Sequence, residues 1–400
     1  MKHYVMPSGG IVHVDGSSSW QHRHARLRNL AGGKKTGTPG STFLVIGHGM
    51  KCLPHLGYTL TLKILKRLIL IAFTRDSLNS ENPTLEQIHN LYTTYTLLGP
   101  VARTCLATVS ATSPGSDYRR LFRSYVLELD QEIHRTLLQM TYPSLAIAVT
   151  IQLSHKLALM IPSEDHSVFN PEIMTRWIAF RVASVADDQA RYSSYQLYKS
   201  LSKQTVPRTS AGWLFEAFAH QWLRQGGKFQ ADKLPVRAVN DCIKFTINKS
   251  RGQEEKSFTS PGHLYQQVKN RDGNRVEPKM IGEYFQPWGQ TQESFDGLVI
   301  ENADTLILFQ ITIALRHDIK TGGVKSILNA LPATIKKIRI VFTIPEDKAD
   351  KYTNRQSVPR GCDLGPRAAK CKVEQFRLVF NDKAVESVAL HPSRRKYAGY

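Results

Sequence analysis

Three polar residues interrupt the apolar segments in the C-terminal third of this sequence. The stretch ESFDGLVIENADTLILFQITIA (residues 293–314) places Asp296 among apolar residues, and it places Gln310 and Thr312 inside the next apolar run. Strands are depleted in Asp, so an aspartate there needs an explanation. Alternation along a strand puts Gln310 and Thr312 on one face. Either the three side chains meet at a site, or they are hydrogen-bonded residues at the end of a sheet.

The elements around these residues are predicted in the order helix, three strands, helix and strand. The segment WLFEAFAHQWLRQGG predicts a helix with an N-cap at Ser210 and an end at Gly226, and this helix carries Glu216 and His220 on one face. Asp296 and Gln310 are 14 positions apart, which allows a hairpin that brings them level. The predicted strands are 280–285, 293–301, 305–315, 336–345 and 373–380, and the second helix is 322–332.

This order resembles the αβββαβ core of the PD-(D/E)XK nuclease superfamily, an α/β fold. The resemblance implies an Asp on the second strand and an acid on the third that bind a metal ion, followed by a Lys that assists the attack on phosphate. Asp296 takes the first place, Gln310 and Thr312 take the E-x-K places, and Glu216 matches the helical acid of many members. The implied cofactor is Mg²⁺, with Asp296 and Gln310 as its ligands.

The sequence departs from this motif at two positions. Gln310 offers a neutral oxygen where a carboxylate is expected, which lowers the affinity for Mg²⁺. Thr312 supplies no cation, so Lys320 or Lys325 on the following helix is the candidate to replace the lysine, with Arg316 as a weaker substitute. A catalytic site and a set of hydrogen-bonded sheet residues both stay open at this point.

A narrower resemblance covers about residues 210–390. The stretch FDGLVIENADTLILFQITIALRHDIKTGGVKSILNALP, followed by RIVFTIPED, resembles the C-terminal nuclease-like domain of fungal Crinkler-type proteins, which are related to trypanosome retrotransposon hot spot proteins. In these families a P-loop NTPase precedes the nuclease-like domain. The segments LLGPVARTC (97–105) and LSHKLALMIP (153–162) resemble those that join the two.

The N-terminal half predicts a damaged NTPase. The stretch GTPGSTFLVIG looks like a Walker A loop in which Gly37, Gly40, Ser41 and Thr42 remain but the Gly-Lys pair is missing, so the phosphates lose their main cation. We therefore expect no ATP hydrolysis. The predicted organisation is a poorly ordered basic N-terminus (1–36), a truncated NTPase remnant (37–110), a mostly helical connector (111–205), the nuclease-like domain (210–390) and a basic tail (391–400), with a polar loop or insertion at 250–279.

Charge and cysteine usage limit the partners and the compartment. The formal net charge is +20, and residues 1–75 alone hold eleven Lys or Arg against one acid. Such an excess favours nucleic acid, with DNA as the favoured partner, over a membrane. The five cysteines are odd in number and scattered, which favours a reducing compartment. Zinc binding through His48, Cys52 and His55 lacks a fourth ligand and is interpreted as coincidence.

No secretory signal is visible, and Lys63, Lys66 and Arg67 interrupt the best membrane candidate at 58–73. Three hypotheses follow: a metal-dependent DNA endonuclease, a nucleic-acid-binding protein on a catalytically weak nuclease fold, or an inactive effector that acts on a host protein. A decayed mobile-element-associated gene is a further alternative. The expected location is the nucleus, or a host nucleus reached by a secreted effector through a non-classical route.

Overall fold

The structure, a computed structural model, describes residues 2–5, 11–14, 85–99, 118–139, 156–162, 169–185, 188–203, 208–236, 241–249, 256–288, 295–358 and 364–384. The chain divides into two compact units, residues 1–92 and 93–400. In the first unit, β1 (Lys2–Val5) pairs antiparallel with β2 (Ile11–Val14). The Walker-like residues, the His48 group and the basic tail lie outside the described residues.

Helices and one hairpin come before the main sheet. They are α1 (Leu85–Leu98), α2 (Tyr118–Gln139), β3 (Ala158–Pro162), β4 (Phe169–Ile173), α3 (Arg176–Ala183), α4 (Asp188–Lys203) and α5 (Arg208–Gln225). Strands β3 and β4 form an antiparallel pair. None of the described helices combines the length and the apolar character that a membrane crossing requires.

Eight strands form one mixed sheet in the second unit. They are β5 (Gly227–Lys233), β6 (Cys242–Ile247), β7 (Ser257–Phe258), β8 (Tyr284–Pro287), β9 (Gly297–Asn302), β10 (Thr305–Ile311), β11 (Lys337–Pro345) and β12 (Lys372–Phe380). Their order is β6-β5-β12-β11-β10-β9-β8-β7. Strands β8, β9 and β10 are antiparallel neighbours, whereas β10, β11 and β12 run parallel. The helices between the strands are α6 (Pro261–Val268), α7 (Thr321–Ala330) and α8 (Pro366–Ala369).

The sheet separates two apolar cores. All seven residues of β10 are buried, as expected for a central strand. Ile307, Phe309 and Ile311 belong to the core shared with helices α2 to α5, whereas Leu306 and Leu308 belong to the core shared with α6 and α7. Burial of each large side chain contributes about 1.5–3 kcal/mol, so both faces of this strand hold the fold together.

The structure corrects several predicted boundaries. Helix α5 begins at Arg208, and Ser210 lies inside it, where its hydroxyl accepts the N–H of Ile173 at 2.8 Å and does not act as a cap. Gly226, with φ of 70°, does end the helix. The stretch 250–279 was predicted as a loop, yet it contains β7 and α6, because Ser260 caps a helix that begins with proline. Strands β5 and β6 were not predicted.

The predicted boundary between the helical connector (111–205) and the nuclease-like domain (210–390) does not separate two cores. Residues 204–207 lie outside the described residues, but the helices on either side contribute to one core. Ile133 on α2, Tyr198 on α4 and Phe215 on α5 are all members, and the rings of Tyr198 and Phe215 stack at 5.8 Å. The helical region therefore supports the α5 face of the sheet directly.

Truncation of a central side chain tests this packing. We expect Phe309→Ala to lower the free energy of unfolding by about 3–5 kcal/mol, because it leaves a cavity between the rings of Phe245 and Tyr284, each 5.9 Å away. Urea denaturation followed by circular dichroism measures the change. Leu127→Ala is the control, since Leu127 is 63% exposed, and it should have little effect. Equal effects of both substitutions would contradict the packing described.

Candidate functional site

Asp296 lies immediately before β9 and is hydrogen-bonded to β10. Its N–H donates to the carbonyl of Phe309 at 2.7 Å. Its Oδ2 accepts the side-chain N–H of Gln310 at 2.8 Å and the backbone N–H of Ile311 at 2.7 Å. The antiparallel pairing of β9 and β10 thus brings Asp296 and Gln310 into direct contact at one end of the sheet.

Glu216, on α5, is bound by a residue that the sequence analysis did not single out. Arg176, the first residue of α3, donates its Nε–H to Glu216 Oε2 at 2.9 Å and its Nη2–H to Oε1. This two-point geometry is the strongest pairing open to a guanidinium and a carboxylate. Thr175 caps α3, because its hydroxyl accepts the N–H of Ile178 at 3.1 Å, and this fixes the position of Arg176.

His220 extends this network one turn along α5. Its Nε2 lies 3.4 Å from Glu216 Oε1, and its Nδ1 lies 2.7 Å from the hydroxyl of Tyr284. Burial lowers the pKa of His220 to about 4, so the imidazole is neutral at pH 7. Because a carboxylate only accepts, the Nε2–H donates to Glu216 and the Tyr284 hydroxyl donates to Nδ1.

Gly297 lets this network reach the strand that follows Asp296. A Cβ atom at Gly297 would lie 2.1 Å from the Tyr284 hydroxyl oxygen, far inside van der Waals contact. Only glycine therefore allows Tyr284, on β8, to lie against the backbone beside Asp296. The sequence signal for this contact is the dipeptide Asp296-Gly297 at the start of an apolar strand.

The pKa values of the two carboxyl groups in the cluster, Asp296 and Glu216, are shifted in opposite directions. Asp296 is partly exposed, yet desolvation and then the negative charge of Glu216 raise its pKa to about 8, against the opposing effects of the Ile311 N–H and Arg176. Burial would raise the pKa of Glu216, but His220 and Arg176 together hold it below its usual value. At neutral pH Glu216 is therefore ionised and Asp296 is largely protonated. The single negative charge is matched by Arg176.

The other predicted site residues lie apart from these contacts. Thr312 donates its N–H to the carbonyl of Thr343 at 3.0 Å, and its hydroxyl accepts the N–H of Ala314 at 3.0 Å. Lys320 is exposed at the N-cap position of α7.

Lys325 lies on α7 with its aliphatic stem against Gly365. A Cβ atom added at Gly365 would lie 3.1 Å from Lys325 Cγ. Arg176, and not Lys320 or Lys325, is the cation whose charge favours the ionised form of Asp296 and so opposes the rise in its pKa. Sequence reasoning missed Arg176 because it lies on a helix far from the motif in the chain, and no local pattern marks it.

Several of the oxygens that could bind a metal ion at the cluster already accept hydrogen bonds. Mg²⁺ takes oxygen ligands, above all ionised carboxylates. Oδ2 of Asp296 accepts two N–H groups, Gln310 turns its N–H toward it, and both oxygens of Glu216 contact N–H donors. Within the described residues, no three His, Cys, Asp or Glu side chains are placed to hold one metal ion. Because Asp296 is largely protonated and Glu216 is paired with Arg176, the cluster as arranged lacks the unpaired, ionised carboxylates of the Mg²⁺ site that the resemblance implied.

Comparison of the chain with family models, with curated proteins and with solved structures finds no match.

A double-mutant cycle tests the Arg176–Glu216 pair. We expect Arg176→Met to lower the free energy of unfolding by about 3–5 kcal/mol, because it leaves a buried carboxylate without its main partner. Adding Glu216→Gln should recover most of that loss. The exposed pair Lys156–Glu128, at 3.0 Å, is the control, and breaking it should change stability by about 0–1 kcal/mol. Strictly additive losses in the Arg176 and Glu216 variants would show that the two residues do not interact.

The raised pKa of Asp296 predicts a pH dependence of stability. A carboxyl whose pKa is higher in the folded state favours folding at low pH, and this contribution is lost as pH rises from about 4 to about 8. Asp296→Asn mimics the protonated form. The stability of this variant relative to wild type should therefore rise with pH by at most about 1.4 kcal/mol per pH unit, and level off above pH 8. A difference that stays constant between pH 4 and pH 9 would refute the raised pKa.

Proposed function

We propose that this chain is a DNA-binding protein with a PD-(D/E)XK nuclease-like domain, and that it binds the phosphate backbone without hydrolysing it. The order of elements supports the fold assignment: α5 comes first, β8, β9 and β10 form an antiparallel set, and α7 leads to β11, which is parallel to β10. The meeting of Asp296 and Gln310 on adjacent strands, with the charge of Glu216 close to Asp296, agrees with the expected place of a nuclease site.

A group of exposed lysines carries the proposal of DNA binding. Lys337 on β11 is level with Lys372 on β12, and the N–H of Lys372 donates to the carbonyl of Lys336 at 2.8 Å. Lys370 lies two residues before the start of β12, and the side chains of Lys336, Lys337, Lys370 and Lys372 are all exposed. We call Lys336, Lys337, Lys370 and Lys372 the lysine edge.

The lysine edge keeps an excess of positive charge. Lys337 pairs with Asp304 at 3.3 Å and Lys372 pairs with Glu374 at 3.1 Å. The lysine of each pair is exposed, and Glu374 has a second partner in Lys233 at 3.2 Å, so either lysine can turn to another anion at little cost in stability. DNA carries closely spaced phosphates, and lysines that contact them release condensed counterions, so the edge favours sequence-independent binding. The net charge of +20 supports the same conclusion.

We infer that hydrolysis is absent because neither acidic residue of the cluster offers an ionised, unpaired carboxylate. In a metal-dependent nuclease, ionised carboxylates hold the ion that activates water. Here the carboxyl of Asp296 is largely protonated at neutral pH, Gln310 is neutral, and Glu216 is held by Arg176. The residues of the cluster stabilise the junction of α5, β8, β9 and β10, and the basic surface supplies the binding energy.

The salt dependence of DNA binding tests the role of the lysine edge. We expect Lys336→Ala combined with Lys370→Ala to weaken binding to duplex DNA. The slope of log affinity against log salt should fall by about 2, since each phosphate contact contributes about 1. Fluorescence anisotropy with a labelled duplex measures both quantities.

Lys336→Arg combined with Lys370→Arg is the matched control, and it should keep the wild-type slope because the charge is retained. If the alanine variant matches wild type, the lysine edge is not the contact surface. If wild type does not bind duplex DNA at low salt, DNA binding itself is refuted.

A further inference from the structure

Strands β5 and β6 form a two-stranded ribbon at one edge of the sheet. Strand β6 is the outermost strand, and β12 pairs with β5 at Asp232 and Lys233 only. Residues 227–231 of β5 are therefore paired with β6 alone among the described strands. The N–H of Asn248, directly after β6, donates to the carbonyl of Gly282 at 2.8 Å, and this contact fixes the end of the ribbon.

One face of the ribbon is buried in the core that it shares with α5. The rings of Phe229 and Phe245 stack with their centroids 5.6 Å apart. Phe229 also contacts the ring of Trp222 on α5 at 5.0 Å, and Phe245 contacts the ring of Phe309 on β10 at 5.9 Å. Because successive residues of a strand point to opposite faces, the residues on either side of these phenylalanines point away from the core.

The outer face of the ribbon carries four exposed polar side chains. We call them the outer ribbon face: Lys228, Gln230, Lys244 and Thr246. Lys228 is level with Thr246, and Gln230 is level with Lys244, so the two lysines lie on a diagonal, about 7–8 Å apart. With the residues between them, these four line an open cavity of about 300 Å³, which leaves room among the long side chains.

The charge of the outer ribbon face is positive. Among the residues that the structure describes, neither Lys228 nor Lys244 forms an ion pair. Asp232 follows on the same face of β5, but Arg377 donates its Nε–H to this carboxylate at 3.1 Å and balances its charge. An approaching polyanion therefore meets two ammonium groups beside a neutral amide and a hydroxyl group.

We propose that the outer ribbon face enters the major groove of duplex DNA and contacts the edges of the bases. This inference rests on the proposed function, and it adds a sequence preference to the binding by the lysine edge. The two strands of a ribbon lie about 4.8 Å apart, and the major groove, about 12 Å wide, admits such a ribbon with its side chains.

Each kind of side chain on the outer ribbon face matches a base edge in the major groove. A lysine donates to the O6 and N7 acceptors of guanine, and the amide of a glutamine pairs with N6 and N7 of adenine. A threonine contacts the methyl group of thymine. The four residues thus supply base contacts as well as attraction to phosphate, whereas the lysine edge supplies positive charge alone.

Gln230 gives the sharpest test, because it is exposed and uncharged. The full chain first selects from a pool of random duplexes of about 20 base pairs, two helical turns. The enriched duplex and a scrambled duplex of the same composition then serve as labelled probes for anisotropy. Gln230→Ala should weaken binding to the enriched duplex by about 5- to 150-fold, the effect of one base contact, and leave binding to the scrambled duplex unchanged.

Gln266→Ala is the matched control, since Gln266 is exposed on α6, and it should change neither affinity. Lys228→Ala combined with Lys244→Ala should remove the preference for the enriched duplex. Circular dichroism of each variant verifies that it is folded. If wild type enriches no sequence, or if Gln230→Ala binds the enriched duplex as tightly as wild type does, the ribbon does not read bases, while DNA binding stands. If wild type retains no duplex from the pool at low salt, the proposed function fails as well.

Discussion

The burial of Glu216 is the constraint on which the site depends. A carboxylate with little access to water is tolerated only when its charge is paired and its oxygens accept hydrogen bonds. Arg176 supplies the charge and two N–H groups, and His220 supplies a third contact. Through His220 the network reaches Tyr284 on β8, and the Tyr284 hydroxyl reaches the backbone at Gly297. One ion pair thus ties helices α3 and α5 to the strands that carry Asp296.

The same network accounts for the chemistry that we propose. The positive charge of Arg176 is paired with Glu216 inside the protein. The negative charge of Glu216 raises the pKa of Asp296. The cluster therefore holds a proton at Asp296 and an ion pair between Arg176 and Glu216, an arrangement that leaves neither carboxyl group both ionised and unpaired. In the proposed function, binding to a polyanion is then left to exposed cations such as the four lysines of the lysine edge.

Patterns local in sequence predicted a large part of the sheet. The alternation and length of the apolar runs placed β9, β10, β11 and β12, and the Asp296 to Gln310 spacing fitted a hairpin whose ends meet. Strands β5 and β6 were not predicted, because KFQADK and CIKFTI mix lysine with apolar residues. These strands lie on an outer part of the sheet, where one face is exposed. The role of Arg176 was not predicted for a different reason. Its partner, Glu216, is brought to it by the packing of α3 on α5, and no residue spacing in the sequence indicates that contact. The resemblance to Crinkler-type proteins remains a prediction.

Incubation of the full chain with supercoiled plasmid, with Mg²⁺, with Mn²⁺ and with a chelator, tests the central claim most directly. We expect the plasmid to be retarded on a gel in all three conditions and to stay supercoiled, because DNA is bound by surface cations while Asp296, Gln310 and Glu216 remain engaged with one another and with Arg176. Nicking that requires Mg²⁺ or Mn²⁺ and disappears in Asp296→Ala would contradict the account, since it would show that Asp296 holds a catalytic metal ion.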